Sequence, residues 1–187
     1  LNAPKGHDLS GLQKFCLVTL RLAIGWHLLS EGMGKFHSLT WSSVGYLKMA
    51  TGPLADHFHR MADSKDVLIQ IGGKGITMLQ IADKSVMYGL MAAGIFLLLG
   101  LFTRLGCLIG IALITLFYIS MPPWSWTPQP GTESNYLVVN KNLVEILGLV
   151  VILVFPTGRF AGLDATLYPL IGKHFPSWIV GRPSKEA

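Results

Sequence analysis

Charged side chains are scarce in this chain. Lys, Arg, Asp and Glu make up 13% of its 187 residues, hydrophobic residues make up 51%, and the mean hydropathy is +0.50. A soluble domain carries about 25% charged residues. The deficit leaves too little polar surface for a water-soluble globule, and an integral membrane protein is the expectation. Cysteine is scarcer still. Cys16 and Cys107 each stand alone in an apolar stretch, with no C-x-x-C. That excludes a disulfide framework or a cysteine zinc site, and two small buried side chains are expected. The Walker loop, the G-x-G-x-x-G fingerprint and H-E-x-x-H are all missing. The stretch "GGKGIT" at 72–77 lacks the Walker spacing and reads as a flexible entry to the apolar segment after it. No basic run is interleaved with stacking aromatics, so the net charge of +5 does not mark a nucleic-acid partner. In a membrane protein that charge orients spans and meets anionic headgroups, so membrane lipids are the expected partners.

What is present is apolar sequence in four blocks, at 15–36, 85–102, 105–122 and 137–155, the second reaching back to Ile76 on a wider reading. Each is close to the ~20 residues that cross a ~30 Å hydrocarbon core as a helix, and each contains glycine, which lets membrane helices approach closely. The expected fold is all-α, a single four-span membrane domain over 1–187 built as a four-helix bundle, with short tails. Residues 1–14 read as a polar, mildly basic tail and not as a cleavable signal peptide. Thr103 and Arg104 form a tight connection, which makes the second and third spans antiparallel neighbours. Gly94 and Gly110 are expected at close-contact positions.

The long first loop, about 37–84, places Leu54, Phe58 and Met61 on one helical face, the pattern of an interfacial amphipathic helix. In "ADSKDVL", Asp63 or Ser64 caps the turn that follows. His57 and His59 point to different helix faces, so they read as solvated or headgroup-level side chains and not as metal ligands. Trp124, Trp126 and Tyr136 suit the headgroup level. Basic residues in the tails (Lys5, Lys14, Arg159, Lys173, Arg182 and Lys185) and Arg104 place both termini on the cytoplasmic side. The first and third loops then share the outer face as a cap.

The first block holds four ionisable residues. Taking Arg21 as origin and about 100° per residue, His27 falls at about 240°, Glu31 at about 280° and Lys35 at about 320°. Facing lipid, such a stripe would cost ~2.5–3.5 kcal/mol per central charge, so it should look into the bundle or a wet cavity. The fourth block supplies Asn140, Lys141, Asn142 and Glu145 at comparable depth. Two pairs are expected, Arg21 with Glu145 and Glu31 with Lys141. Arg21, His27, Glu31, Lys35, Asn140, Lys141 and Glu145 are the candidate intramembrane stripe. Its roles are a polar pocket for a headgroup, a quinone ring or a proton path, or simply helix-locking ion pairs. Only His27 lies within a span, so bis-His haem is not expected, and no metal site, flavin motif or iron–sulfur motif is present in the sequence.

Four stretches together resemble the DoxX/DoxD family of small bacterial and archaeal membrane proteins. They are "RLAIGWHLLSEGMGKF", "WSSVGYLKMATGPLADHF", "GIFLLLGLFTRLG" and "ESNYLVVNKNLVEILGLVVILVFPTGRFAGLD", which fall in the family's order over about 15–165. The matching positions are Arg21, Gly32, Lys35, Gly52, Pro53, Asn140, Lys141, Asn142 and Asp164. The resemblance implies a multi-pass subunit of the bacterial or archaeal cytoplasmic (inner) membrane. It would belong to a quinone-linked respiratory oxidoreductase of the thiosulfate:quinone or terminal quinol oxidase type, with quinone as the redox partner. The chain lacks the soluble extracytoplasmic region that the thiosulfate enzyme draws from its second subunit, so partner subunits are implied. The alternative is a non-catalytic subunit that anchors or stabilises a larger membrane complex.

Overall fold

A computed structural model describes residues 9–38, 40–64, 66–71, 74–124, 137–155 and 157–171. The expectations placed on Lys5, Gly72, Trp126, Tyr136, Lys173, Arg182 and Lys185 fall outside the described residues. The first helix, α1 (Gly11–His37), starts earlier than hydropathy indicated because Ser10 and Gln13 form a reciprocal capping box. Part of the expected polar tail is therefore helical. Then come two short helices, α2 (Val44–Lys48) and α3 (Ala55–Asp63), and two strands, β1 (Val67–Ile71) and β2 (Lys74–Thr77). Helix α4 (Met78–Leu99) follows directly, opened by a second capping box between Thr77 and Gln80. The chain continues through α5 (Thr103–Ser120), α6 (Lys141–Val154), α7 (Thr157–Ala161) and α8 (Leu163–Ile171).

Helices α1, α4, α5 and α6 pack in a ring, each against the next, with α6 returning to α1. Their core is Leu28, Leu90, Ala93, Leu97, Cys107, Ile114, Leu149 and Ile152. Two of them, α4 and α5, are long and apolar enough to cross a membrane. In their apolar windows 22% and 33% are buried within the chain, and most of the rest is partly exposed. The seam between α1 and α4 is the tightest. A Cβ at Gly94 would stand 2.5 Å from the Leu29 nitrogen and 2.8 Å from the Gly25 carbonyl oxygen. Gly94 is thus a close-contact position, but against α1 and not within the α4–α5 pair. Gly110 meets Leu149 of α6 and Leu28 of α1.

Several boundaries and placements differ from expectation. The α4–α5 turn is Gly100 to Phe102, and Thr103 and Arg104 already belong to α5. Gly100 (φ 61°) and Phe102 (φ 49°) both take the left-handed conformation, which closes the turn more tightly than hydropathy can reveal. Lys74–Thr77 is a strand and not a flexible entry, paired antiparallel with β1. The alternating and β-branched residues of "VLIQI" around a Gly-Gly pair carried that hairpin signal. Cys107 is buried, but Cys16 is exposed on the outer face of α1. In α3 the inward residues are Phe58 and Ala62, which pack on Leu47 and Ala50 with Met61 and Leu79 beside them. Leu54 precedes the helix and is exposed. Ser64, not Asp63, caps the following turn through the Asp66 N–H, while the Asp63 carboxylate pairs with Lys48 at 2.7 Å.

The two ends of the ring are built differently. At one end, α2 donates from the Tyr46 hydroxyl to the Phe117 carbonyl, and Thr51 and Gly52 N–H groups both donate to Ser120 O. The first loop therefore lies over the end of α5. The opposite end holds the start of α1, the α4–α5 turn, α7 and α8. There Lys14 Nζ sits 6.0 Å from the centre of the Phe160 ring.

Candidate functional site

Arg21 and the rest of the ionisable stripe lie at different ends. Arg21 is 2% exposed. Its Nη2 donates to the Ala161 carbonyl at 2.6 Å, and its Nη1 reaches Thr157 Oγ1 at 3.5 Å. The buried acid nearest in effect is Asp164, which attracts the guanidinium electrostatically. Asp164 also accepts from Phe102 N (2.7 Å), Thr103 N (3.2 Å) and Thr103 Oγ1 (2.8 Å). It thereby satisfies the first N–H groups of α5 and holds the left-handed Phe102 in place. A Cβ at Gly100 would meet Arg21 Nη1 at 2.8 Å and the Gly162 Cα at 2.6 Å. One buried cluster therefore ties α1, the α4–α5 turn and α7–α8 together.

The expected pair of Arg21 with Glu145 is not formed. Arg21 sits six residues before His27, about 9 Å along the helix axis, and its length is used in the opposite direction. Glu145 instead faces His27, with Nε2 to Oε2 at 3.6 Å. Glu31 does not pair with Lys141 either. It holds Lys35, one turn along its own helix, at 2.5 Å, because neighbours at i and i+4 meet without bridging two helices. Lys141 still acts electrostatically on both Glu31 and Glu145. Asn140 stands apart from these charges and caps α6, its side-chain oxygen accepting from Leu143 N at 3.1 Å.

His27, Glu31, Lys35, Lys141 and Glu145 converge on a cavity of about 350 Å³ between α1 and α6, near the α2 end of the ring. Asn142 joins them from α6. Its floor is apolar, made of Leu28, Val86, Leu90, Ile114 and Phe117. Its rim carries Trp41 and Tyr46. Lys35 Nζ lies 5.7 Å from the Trp41 ring centre, so the same lysine binds Glu31 and steadies the tryptophan. The rim is fastened from α4. Asp83 accepts from Ser43 N (2.8 Å), Ser43 Oγ (2.5 Å) and Ser42 Oγ (2.8 Å). Burial pushes the Tyr46 phenol up to about 12, so it stays a neutral donor to Phe117 O.

Protein-family models, curated proteins and solved structures yield no match to this chain. The site's own chemistry therefore bears the functional reading. An apolar chamber of ~300–1,000 Å³ with a few converging polar groups has the form of a small-molecule site. Among the described residues lining it, Glu145 Oε1 is the buried polar atom without a hydrogen-bond partner. A buried acceptor left unpaired costs about 1–3 kcal/mol.

Trp41, Ser42, Ser43, Tyr46 and Asp83 were not among the residues expected at the site. Asp83 was findable, as an acid just ahead of the second apolar block. Tyr46 and the serines owe their positions to a strap between helices that periodicity does not register.

Proposed function

We propose that this chain is a four-span, DoxX/DoxD-like subunit of a quinone-linked respiratory oxidoreductase in a bacterial or archaeal cytoplasmic membrane, with the α1–α6 cavity holding the quinone head. Several observations support membrane residence. Large apolar side chains point outward on all four ring helices, including Phe15, Leu22, Ile95, Leu108, Leu116, Leu147 and Val151. Of the ionisable residues along α1 and α6, His27, Glu31, Lys35, Lys141 and Glu145 line the cavity and Arg21 is buried, in keeping with the cost of a lipid-facing charge. At 14 residues α6 reaches about 21 Å.

The observation that supports the ligand assignment is the make-up of the cavity, an apolar floor and an aromatic rim with the Lys141 ammonium and the Asn142 amide among its lining groups. Trp41 and Phe117 suit the faces of a ring, while the Lys141 ammonium and the Asn142 amide can donate to its oxygens. A quinone supplies two-electron redox chemistry, and this chain's residues position the ring and exchange hydrogen bonds with it. No haem, flavin or iron–sulfur motif occurs in the sequence, so electrons come from a partner subunit. Extraction from native membranes into lipid nanodiscs tests this reading. Near-stoichiometric quinone in the wild-type extract, lost in a Leu90→Trp variant that fills the cavity, is expected. Equal trace quinone in both would reject the assignment.

A second reading, a non-catalytic subunit that anchors a larger membrane complex, is favoured by β1. Its Val67, Leu68 and Ile69 are about half exposed on a two-stranded hairpin, a surface suited to a partner chain. Co-extraction of large partners without quinone would favour it.

A further inference from the structure

A second concavity, of about 930 Å³, is bounded by the end of α1, β2 and the first turns of α4. It shares only Lys35 and Trp41 with the α1–α6 cavity. Three charged side chains line it, and they are unequally committed. Both Asp83 oxygens accept from Ser42 and Ser43. Lys35 is held by Glu31 and lies over the Trp41 ring. Lys84 has no acidic partner among the described residues. Its Nζ stands 5.9 Å from the centre of the Tyr88 ring. Tyr88 in turn meets Phe36 of α1, with ring centres 6.5 Å apart, and both rings are about half exposed. From Val86 to Leu99 α4 carries no Lys, Arg, Asp or Glu, so Lys84 is its last charge before the apolar run. Snorkelling lysines and tyrosines at such a boundary belong to the headgroup level of a bilayer.

We infer that this groove holds the headgroup of an anionic phospholipid, with its phosphate on the Lys84 ammonium and its acyl chains leaving over Phe36 and Tyr88. The inference rests on the membrane residence proposed above and not on the quinone assignment. Two lysines face one carboxylate here, and that carboxylate is already engaged by the two serines. A phosphate therefore meets a cation without a competing acid. The Tyr88 ring steadies the ammonium and leaves it free to donate to phosphate oxygens. Ser38, Gln80 and Ser85 bring neutral donors for the remaining headgroup oxygens. A zwitterionic lipid would bring its own ammonium against Lys35 and Lys84, which disfavours it. The exposed Phe36 and Tyr88 rings offer apolar surface to the first methylenes of the chains.

Native mass spectrometry of the full chain, released from micelles holding equal amounts of phosphatidylglycerol and phosphatidylcholine, tests the inference. The wild type should retain phosphatidylglycerol about fivefold over phosphatidylcholine. Lys84→Gln should bring the two lipids to parity, and Lys84→Arg should keep the preference. Lys14→Gln removes the same charge at the opposite end of the ring and should also keep it, as should Leu90→Trp, which fills the other cavity. Unchanged melting temperatures show that each variant is folded. Equal retention of both lipids by the wild type, or a preference that survives in Lys84→Gln, overturns the site. So does a preference lost in Lys14→Gln, which makes it a matter of net charge, or in Leu90→Trp, which puts the lipid in the α1–α6 cavity. Displacement of the lipid by millimolar inorganic phosphate assigns the groove to a free anion and overturns the headgroup. If alkaline carbonate strips the chain from vesicles, the membrane reading itself fails, and the lipid site with it.

Discussion

Replacing Arg21 by methionine isolates the buried cluster at the α7–α8 end. The substitution keeps the length and apolar stem of the side chain and removes the guanidinium. Three things are lost: the 2.6 Å bond to the Ala161 carbonyl, the contact with Thr157 and the attraction to Asp164. Asp164 keeps its bonds to Phe102 and Thr103 but loses the attraction of the guanidinium. Losing a hydrogen bond from a charged donor costs ~1.5–3 kcal/mol. Asp164→Asn alone should cost less, since a neutral amide oxygen still accepts from the α5 N–H groups. The double variant should then be less destabilised than the sum of the singles by ~0.5–3 kcal/mol. Thermal unfolding in a single mild detergent, followed by helical circular dichroism, reads all four proteins. Equal melting curves for wild type and Arg21→Met, or strict additivity in the double variant, would refute the cluster as a brace. Glu145→Ala should show no coupling to Arg21→Met, because the two residues serve opposite ends of the ring.

Gly94→Leu should lower the melting temperature sharply, because its side chain meets α1 backbone and the two helices must part; an unchanged curve would mean that this face sees lipid. Tyr46→Phe should destabilise by about 0.5–1.5 kcal/mol at neutral pH. The folded phenol titrates at about 12, above the ordinary 10.0, so its contribution should be full below pH 10 and vanish as the pH rises to about 12. A wild-type minus Tyr46→Phe difference that stays constant through that window would contradict the burial of the phenol. In a Cys16→Ser background, a cysteine at Asp66 should label with an impermeant maleimide from outside intact cells, and one at Lys14 only after the cytoplasmic face is opened. The reverse pattern would invert the proposed orientation.

The helical plan was readable because the four ring helices are rich in apolar residues and three of them, α1, α4 and α6, open on a clear cap signal. Ser10 with Gln13, Thr77 with Gln80, and Asn140 are cap residues at the true helix starts. They correct the boundaries that hydropathy alone places several residues off. The charged lining of the cavity was readable in part, and its pairing was not; Arg21 and Asn140 lie outside it, and Trp41, Ser42, Ser43 and Tyr46 were missed. Glu31, Lys35, His27, Lys141 and Glu145 do share one cavity. Which charge meets which depends on side-chain direction, and an i, i+4 partner on the same helix outcompeted a partner across the ring. Arg21 shares their helix face yet belongs to another site, since angle on a helix says nothing of depth. The hairpin at 67–77 carries a plain strand pattern, but its glycines run straight into a helix start and read equally well as a flexible entry. The strap from Trp41 to Ser43 is held by a single carboxylate, Asp83, about 40 residues away, a contact that no local pattern encodes.

Photolabelling most directly tests the claim that the α1–α6 cavity holds a quinone. A photoactivatable azidoquinone is cross-linked to the protein in its native membrane, and the labelled residues are mapped by mass spectrometry. The label should fall on the strap from Trp41 to Tyr46 and on α6 between Lys141 and Glu145, and excess unlabelled quinone should suppress it. Labelling confined to outward side chains such as Leu22, Leu116 and Val151, unaffected by competitor, would contradict the account.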